Sequence, residues 1–360
     1  MTVLLDDLGP GGRDDGRQFI LPPDREATSP PEARGLARDA VRLLVSDPSS
    51  NAGDTLTHAV FRELPHFLRP GDLLVVNDSA TLPAALDTHG PDGTPVVVHF
   101  ATWLDDGSWV VEVRTRVGAP SDWSQLHTGD GFALPGGITL RLGSPWLPPA
   151  RRLWTAHVDV EAPVTEYLRR HGRPISYAYL HGRWSLEYYR TVFGRRPGSA
   201  EMPSAARPFT DSLVTDLVVA GVGIAPITLH TGVSSPETGE PPSPERYAVS
   251  CETARRVNET RASGGRVVAV GTTVTRALES RAMSDGRVLG GGGWTNLVLS
   301  ARRETRAVDG LITGWHAPGA SHLDLLEAVV GSDAVRRAYA TAIDTGYLWH
   351  EFGDSALLLR

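Results

Sequence analysis

The strongest local signal for chemistry is the segment RVVAVGTTVTRALES at residues 266–280. An apolar run typical of a buried strand ends in Gly271, Thr272 and Thr273, and an amphipathic helix pattern follows at once. The start of such a helix offers unpaired backbone N–H groups, two hydroxyls and the positive end of the helix dipole. These groups suit a carboxylate or a phosphate; the alternative is ordinary N-capping by a threonine.

Two histidines follow predicted strands. His230 leaves the end of the predicted strand Gly223–Leu229, and His316 stands between Trp315 and a Pro-Gly break. Ligands of α/β proteins commonly bind where strands end at one edge of the sheet. A single histidine at such a place is more often structural, so the pair indicates a site only if the fold brings both together.

Missing residue types and motifs narrow the chemistry further. All 35 basic residues are arginine, which excludes the usual pyridoxal-phosphate lysine and the lysine of a phosphate-binding loop. The single cysteine, Cys251, excludes an intrachain disulfide and a Cys-rich zinc site. HExxH, GxSxG and GxGxxG are absent, so we expect no metal and disfavour serine or zinc hydrolases and dinucleotide oxidoreductases. A net charge of -7 argues against a generic nucleic-acid binder, although a local arginine patch stays open.

The elements that must position these residues show two kinds of sequence pattern. Residues 86–160 consist of short β-branched or alternating runs separated by Gly, Asp and Pro, a pattern typical of a small barrel or sandwich. Mixed helix and strand patterns lie on both sides, so we predict a discontinuous mixed α/β domain, 1–85 and 161–360, with an inserted all-β domain, 86–160. The acidic, Gly- and Pro-interrupted N-terminus does not resemble a signal peptide, and no apolar run is long enough to span a bilayer. We expect a cytoplasmic protein without a membrane partner.

Individual elements follow from periodicity and turn residues. The pattern predicts an irregular arm at 7–36 and loops at 236–244 and 290–294 (GGGGW). Outside the all-β segment the pattern predicts helices at 57–67, 164–170, 185–193, 210–220 and 250–262, and strands at 73–76, 223–229 and 266–270.

Seven blocks in this order resemble the signature blocks of one family, the S-adenosylmethionine:tRNA ribosyltransferase-isomerases (QueA-like) of queuosine biosynthesis. The blocks are LTHAVFRELPHFLRPGDLLVVND, YRTVFGRRPGSAEMPSAARPFT, ITLHTG, AVGTTVTRALES, WTNL, VDGLITGWHAP and AYATAIDTGYLWHEFGD. Because they cover most of the chain, the sequence is identified as a divergent member of that family.

The resemblance implies a fold and a reaction. The fold is a β-barrel inserted in a mixed α/β domain. The reaction moves the ribosyl part of S-adenosylmethionine, a co-substrate, to the aminomethyl group of a 7-deazaguanine (preQ1) in tRNA and isomerises it, with release of adenine and methionine. Such chemistry needs a base for the 5′-carbon proton and an acid for the departing adenine.

Residues of the matched blocks supply candidates for each role. The candidate acids and bases are His230, His316, Asp78 and Glu279. The methionine carboxylate would suit the Gly271–Thr273 helix start, and Trp315 would stack on adenine or a base. The candidate substrate-binding residues are Gly271, Thr272, Thr273, Arg276, Asn77, Trp315 and Asn296. Arg276 and Glu279 lie one helical turn apart, so a surface ion pair is the alternative for them.

Several motifs depart from the family pattern. NNTRVIPARL reads NDSATLPAAL, APTAGLHF reads MPSAARPF, HVGAGTF reads HTGVSSP, TNFHLP reads TGWHAP, PLPPYI reads PISYAYL and RFFSYGD reads LWHEFGD. The lost arginines weaken the expectation of phosphate contact. The alternatives are therefore a divergent enzyme that uses S-adenosylmethionine on a small-molecule acceptor, and an inactive protein that binds S-adenosylmethionine. The arginines at 195, 196 and 207 are a possible nucleic-acid contact, and the oligomeric state is left open.

Overall fold

The structure is a computed structural model that describes residues 19–49, 56–115, 125–148, 152–233 and 242–360. Residues 7–18 of the predicted arm and 236–241 of the predicted loop lie outside the described residues. The strands, in chain order, are β1 (Arg42–Ser46), β2 (Thr57–Val60), β3 (Leu73–Asn77), β4 (Ser79–Thr81), β5 (Ala85–His89), β6 (Pro95–Trp103), β7 (Trp109–Thr115), β8 (Gly131–Leu134), β9 (Ile138–Pro145), β10 (Leu153–Val158), β11 (Arg196–Ser199), β12 (Gly223–Leu229), β13 (Glu245–Val249), β14 (Val267–Val270), β15 (Gly291–Thr295), β16 (Gly310–Gly314) and β17 (Ser355–Leu359). The helices are α1 (Val164–His171), α2 (Asp211–Val219), α3 (Cys251–Ala262), α4 (Thr272–Glu279), α5 (Ser321–Val330) and α6 (Ser332–Asp344).

A nine-stranded sheet forms the centre of the described protein, in the order β15-β13-β12-β3-β14-β16-β17-β1-β2. Strands β12, β3, β14 and β16 are parallel neighbours, so their carboxyl ends lie at one edge. β3 and β14 read LLVVN and VVAV and are buried throughout, as expected for strands covered on both faces. Alternate residues of β3 enter two cores: Leu73 and Val75 pack with α3 to α6, and Leu74 and Val76 pack on the opposite face with α2.

A second sheet has six antiparallel strands in the order β5-β6-β7-β10-β9-β8. Its edge strands β5 and β8 lie side by side, and the Thr88 hydroxyl donates to the Ala133 carbonyl at 2.6 Å. The sheet is therefore barrel-like and almost closed around buried rings such as Phe100, Phe132 and Trp154. The predicted mixed α/β class is confirmed, and the all-β segment runs from residue 85 to 158.

Two predicted helices and one predicted loop are wrong. Residues 57–67 form β2 and a 3₁₀ helix, Phe61–Phe67, that contains Pro65, a residue unsuited to an α-helix interior. Residues 185–193 hold only the short 3₁₀ helix Leu186–Tyr189. The GGGGW segment forms most of β15, which pairs with β13. Backbone pairing needs no side chain, and a Cβ at Gly292 would lie 2.7 Å from the Tyr247 carbonyl oxygen, so the glycines permit this close pairing.

The described part of the N-terminal arm packs on the segment that precedes β17. The Trp349 amide donates to the Arg25 carbonyl at 2.7 Å, and the Ala27 amide donates to the Trp349 carbonyl at 3.2 Å. Arg34 donates to the Phe352 carbonyl at 2.8 Å. The arm thus supports residues 349–352 from outside. In the described part of the chain, none of the helices has the length and apolar character needed to cross a bilayer.

Candidate functional site

A cavity of about 470 Å³ lies at the carboxyl edge of the central parallel strands. Ligand sites of α/β proteins commonly occupy this edge. Its walls come from the ends of β12, β14 and β16, from α4 and α5, and from loops of several other regions. The lining segments include 175–179, 200–205, 231–233, 242–245, 270–276, 297–299, 313–317, 320–325 and 350–351.

The strand-to-helix turn at Gly271 forms one wall of the cavity. Gly271 has φ 99° and ψ 154°, a conformation almost restricted to glycine, and its amide donates to the Ile312 carbonyl at 2.8 Å. No side chain caps α4, so the predicted alternative of a threonine N-cap is wrong. Thr272 and Thr273 line the cavity, and the first-turn amides of α4 have no partner within the helix. The turn therefore presents the anion-binding features that the sequence predicted.

Arg276, one turn into α4, is buried and holds the cavity wall together. Its guanidinium pairs with Glu245 and donates to the carbonyls of Thr295 at 3.1 Å and Leu297 at 3.2 Å. The predicted surface ion pair with Glu279 is wrong, because both side chains are buried with other partners. Burial raises the pKa of Glu245 although Arg276 acts in the opposite direction. Arg276 lines the cavity, and its contacts hold Glu245 and the carbonyls of Thr295 and Leu297 in place.

His316 and His322 form a stacked pair in the cavity, with ring centroids 4.4 Å apart and planes within 2°. Burial lowers the pKa of His316 well below its usual value and that of His322 to about 4, so both rings are neutral near pH 7. The Thr313 hydroxyl donates to the Gly314 carbonyl at 3.1 Å and lies 2.9 Å from Nε2 of His316. A hydroxyl has only one hydrogen, so Nε2 of His316 carries the ring proton when Thr313 donates to the carbonyl, and Nε2 accepts when Thr313 donates to the ring.

Trp315 also lines the cavity, but its packing is that of a core residue. It is 2% exposed, and its ring contacts Tyr339, Tyr347 and Trp349 at centroid distances of 4.9, 5.7 and 5.4 Å. Its indole Nε1 has no hydrogen-bond partner among the described residues. The three rings hold Trp315 in place and keep the neighbouring His316 at the cavity.

Sequence reasoning missed the wall of the cavity where Tyr177, Tyr179 and His350 meet Glu201 and Glu351. Tyr177 donates to Glu201, and Tyr179 donates to Glu351. Burial raises the pKa of Glu351 to about 7. The signal available in the sequence was the pair of altered motifs PISYAYL and LWHEFGD, which supply four of these five residues.

Three predicted site residues lie beside β12 and outside the cavity lining: Asn77, Asp78 and His230. Asn77 donates to the Leu229 carbonyl at 2.8 Å and accepts from the Leu229 amide at 3.0 Å, so it joins β3 to β12. Asp78 accepts from the Thr228 hydroxyl at 2.6 Å and pairs with Arg196 at 3.1 Å. Both polar groups at the end of β3 therefore have structural partners.

His230 packs between the two large sheets rather than in the cavity. Its Nδ1 lies 2.7 Å from the Ser79 hydroxyl, and its ring centroid is 4.8 Å from that of Trp103. Burial, and then the charges of Arg246 and Arg196, lower the pKa of His230 to about 4. The structure thus does not bring His230 and His316 together in one cavity.

Glu279 and Asn296 are also outside the lining. The Glu279 carboxylate accepts from the amides of Arg306, Ala307 and Val308, with the shortest bond, 2.8 Å, from Ala307. Glu279 therefore fixes a loop, and its pKa is raised by burial. Asn296 is exposed.

The three arginines considered as a nucleic-acid contact differ in exposure. Arg195 and Arg196 are exposed, whereas Arg207 is 2% exposed. Arg207 pairs with Glu32 at 2.7 Å and lies over the Phe352 ring. No group of three or more His, Cys, Asp or Glu side chains in the described ranges is arranged to hold a metal ion.

The comparisons with known proteins agree over nearly the whole chain. A family model described as "Queuosine biosynthesis protein" matches residues 16–358. A protein of Cupriavidus metallidurans named S-adenosylmethionine:tRNA ribosyltransferase-isomerase is 34% identical over 95% of this chain and 96% of its own. A protein of the same name from Thermus thermophilus is 35% identical over 95% of this chain and 98% of its own. The crystal structure of an S-adenosylmethionine tRNA ribosyltransferase from Thermotoga maritima is similar with a TM-score of 0.53 and 27% identity, covering 96% of this chain and 100% of that one.

Proposed function

The chain belongs to the queuosine biosynthesis protein family, and from this premise we propose that its cavity is where S-adenosylmethionine donates its ribosyl group to tRNA. The protein is an enzyme, an S-adenosylmethionine:tRNA ribosyltransferase-isomerase. The observation that carries this conclusion is the end-to-end match to relatives of that name, at 34% and 35% identity. The acceptor is the aminomethyl group of the modified base, and adenine and methionine are released.

The methionine end of the co-substrate is assigned to the start of α4. Its carboxylate would accept from the free amides of the first turn, with the Thr272 and Thr273 hydroxyls beside it. The conformation of Gly271 brings that backbone to the cavity without a side chain in the way. Arg276 holds α4 in position through Glu245.

His316 is the residue we assign as the base. The sulfonium acidifies the neighbouring 5′-carbon, and a neutral imidazole can accept its proton. We assign the tautomer in which the Thr313 hydroxyl donates to the Gly314 carbonyl, so that Nε2 of His316 carries the proton and Nδ1 is the acceptor. The lowered pKa of His316 keeps Nδ1 unprotonated near pH 7. His322, stacked on it, adds no charge near neutral pH. His230, Asp78 and Glu279 lie outside the cavity, so we assign them no role in proton transfer.

The six-stranded sheet is proposed as an inserted domain of residues 86–160 within the mixed α/β domain of residues 1–85 and 161–360. Its strands pair with one another and not with the nine-stranded sheet. The reaction on tRNA would take place in the cytoplasm.

The experiment is adenine and methionine release from S-adenosylmethionine, measured by chromatography with and without preQ1-containing tRNA. Release that depends on the tRNA supports the assignment. Release without it would indicate a small-molecule acceptor or hydrolysis, and binding without release in either case would indicate an inactive protein. Either result would overturn the proposed function.

The base is tested separately with His316→Gln. We expect adenine release to fall by roughly 100-fold or more, with the dissociation constant of S-adenosylmethionine little changed. His66→Gln is the matched control, because His66 is exposed and does not line the cavity. Equal rates for the two variants would exclude His316 as the base.

A further inference from the structure

One wall of the cavity is a stack of three rings. Tyr179 and His350 stack with centroids 4.1 Å apart and planes within 14°. Tyr177 follows with its centroid 6.0 Å from that of Tyr179 and an angle of 23°. All three residues line the cavity. The inner ring faces cover one another, so a ligand at this wall would meet the ring edges and the outer face of the stack, where an aromatic face attracts a cation.

Two carboxylates complete this wall. Glu201 accepts from the Tyr177 hydroxyl, and Glu351 accepts from the Tyr179 hydroxyl. Across residues 19–49, 56–115, 125–148, 152–233 and 242–360, no arginine or histidine forms an ion pair with Glu351. A carboxylate enclosed by protein is costly without a cation, and part of that cost is removed when a ligand supplies one.

The arginines that line the cavity are engaged with other carboxylates. Arg114 pairs with Glu112 at 2.9 Å, although its guanidinium also lies 5.8 Å from the centroid of the Tyr177 ring. Arg276 pairs with Glu245. The two arginines that line the cavity are therefore paired with carboxylates other than Glu351.

The backbone at this wall is also unusual. His350 has φ 72°, and among the described residues only Leu147 is a second non-glycine residue with positive φ. A non-glycine residue in this region carries a cost that is often found at functional sites. His350 and Glu351 stand where the family motif RFFSYGD has Phe and Ser, so this wall differs from the family pattern.

We propose that Tyr177, Tyr179, His350, Glu201 and Glu351 form a subsite for an aliphatic cation of a substrate. This inference rests on the proposed function, which supplies two cations for this wall: the sulfonium of S-adenosylmethionine and the protonated aminomethyl group of the acceptor. The α-ammonium of S-adenosylmethionine is assigned with its carboxylate to the start of α4. Burial lowers the pKa of His350, so its ring is neutral near pH 7 and does not repel a cation. Glu351 acts as the counter-charge, and the rings shield the pair from water.

The test compares Glu351→Gln and Glu201→Gln with the wild-type protein. Glu161→Gln is the matched control, because Glu161 is exposed and outside the cavity. Calorimetry gives the dissociation constants of S-adenosylmethionine and of its thioether analogue, S-adenosylhomocysteine, which keeps the α-ammonium but lacks the sulfonium charge. Steady-state kinetics give the KM for preQ1-containing tRNA. Thermal unfolding of each variant confirms that it is folded before binding is compared.

Two outcomes support the subsite and identify the cation. If the subsite holds the sulfonium, Glu351→Gln weakens the binding of S-adenosylmethionine about tenfold or more and leaves the binding of S-adenosylhomocysteine unchanged. If it holds the acceptor amine, both dissociation constants stay the same and KM for the tRNA rises about tenfold or more.

The subsite is refuted if neither the dissociation constants nor the KM for the tRNA changes. It is also refuted if the binding of S-adenosylmethionine and of S-adenosylhomocysteine weakens equally in a folded variant. Failure of the proposed function would look different: the wild-type protein would then fail to release adenine with preQ1-containing tRNA.

Discussion

Replacing Gly271 with alanine tests the strand-to-helix turn that forms the proposed carboxylate site. Its φ of 99° and ψ of 154° belong to a region that residues with a Cβ rarely enter. Space is not the main problem, because a Cβ there would lie 3.4 Å from the Ala205 Cβ and 3.5 Å from the Thr273 hydroxyl oxygen, both ordinary contacts. The cost therefore comes from the backbone, and it is about 1–3 kcal/mol.

This cost lowers either the free energy of unfolding or the affinity for S-adenosylmethionine. If the turn keeps its shape, the free energy of unfolding falls by about 1–3 kcal/mol. If the turn relaxes, the first amides of α4 move away from the cavity and binding of S-adenosylmethionine weakens instead, by up to about 100-fold for the same free energy. Urea unfolding and calorimetric titration measure the two quantities on the same protein.

Gly314→Ala is the control for this experiment. Gly314 also lines the cavity, but a Cβ there would meet no atom within 4 Å and its φ is not positive. We expect this variant to be close to wild type in both measurements. If Gly271→Ala is equally close to wild type, the positive φ is not needed and the assigned carboxylate site is wrong.

Two further predictions concern buried carboxylates. The pKa of Glu351 rises from 4.5 to about 7 in the folded protein, mainly by burial and also by the charge of Glu201, whereas Tyr179 opposes the rise. The folded state therefore holds the proton of Glu351 more tightly than the unfolded state, and the stabilisation from this proton is lost as the pH rises from 4.5 to about 7. Glu351→Gln should remove this part of the slope of the unfolding free energy against pH. An unchanged slope would contradict the prediction. Arg276→Met should destabilise the fold by about 3–5 kcal/mol because Glu245 is left buried without its partner. The double variant Arg276→Met/Glu245→Gln should recover much of that loss in urea unfolding, and no recovery would mean that Arg276 acts through its carbonyl contacts.

The sequence predicted the regular, locally determined parts of the fold well. The strand at Gly223–Leu229 has the predicted bounds, because a continuous apolar run between turn residues leaves few alternatives. The turn at Gly271 was found for the same reason: a strand, a glycine and a helix follow one another directly.

The rest of the site depends on contacts between distant parts of the chain. Tyr179 and Glu351 meet across 172 positions, so no local pattern could pair them. Polar residues at strand ends were overestimated as ligand contacts, since groups such as Asn77 were needed to join neighbouring strands. Buried polar groups take the nearest partner, and local sequence does not show which partner that is.

The position of β17 in the sheet has a consequence for the order of folding during synthesis. β17 lies between β16 and β1, so β1 gains this neighbour only after residues 355–359 have been made. The Arg42 amide likewise donates to the carboxylate of Asp354, a residue that lies 312 positions later in the chain. The six-stranded sheet, by contrast, has all its strands by residue 158. A nascent chain should therefore complete the barrel-like part early and keep β1 without its inner neighbour until synthesis is almost over, a period in which a chaperone would be most useful.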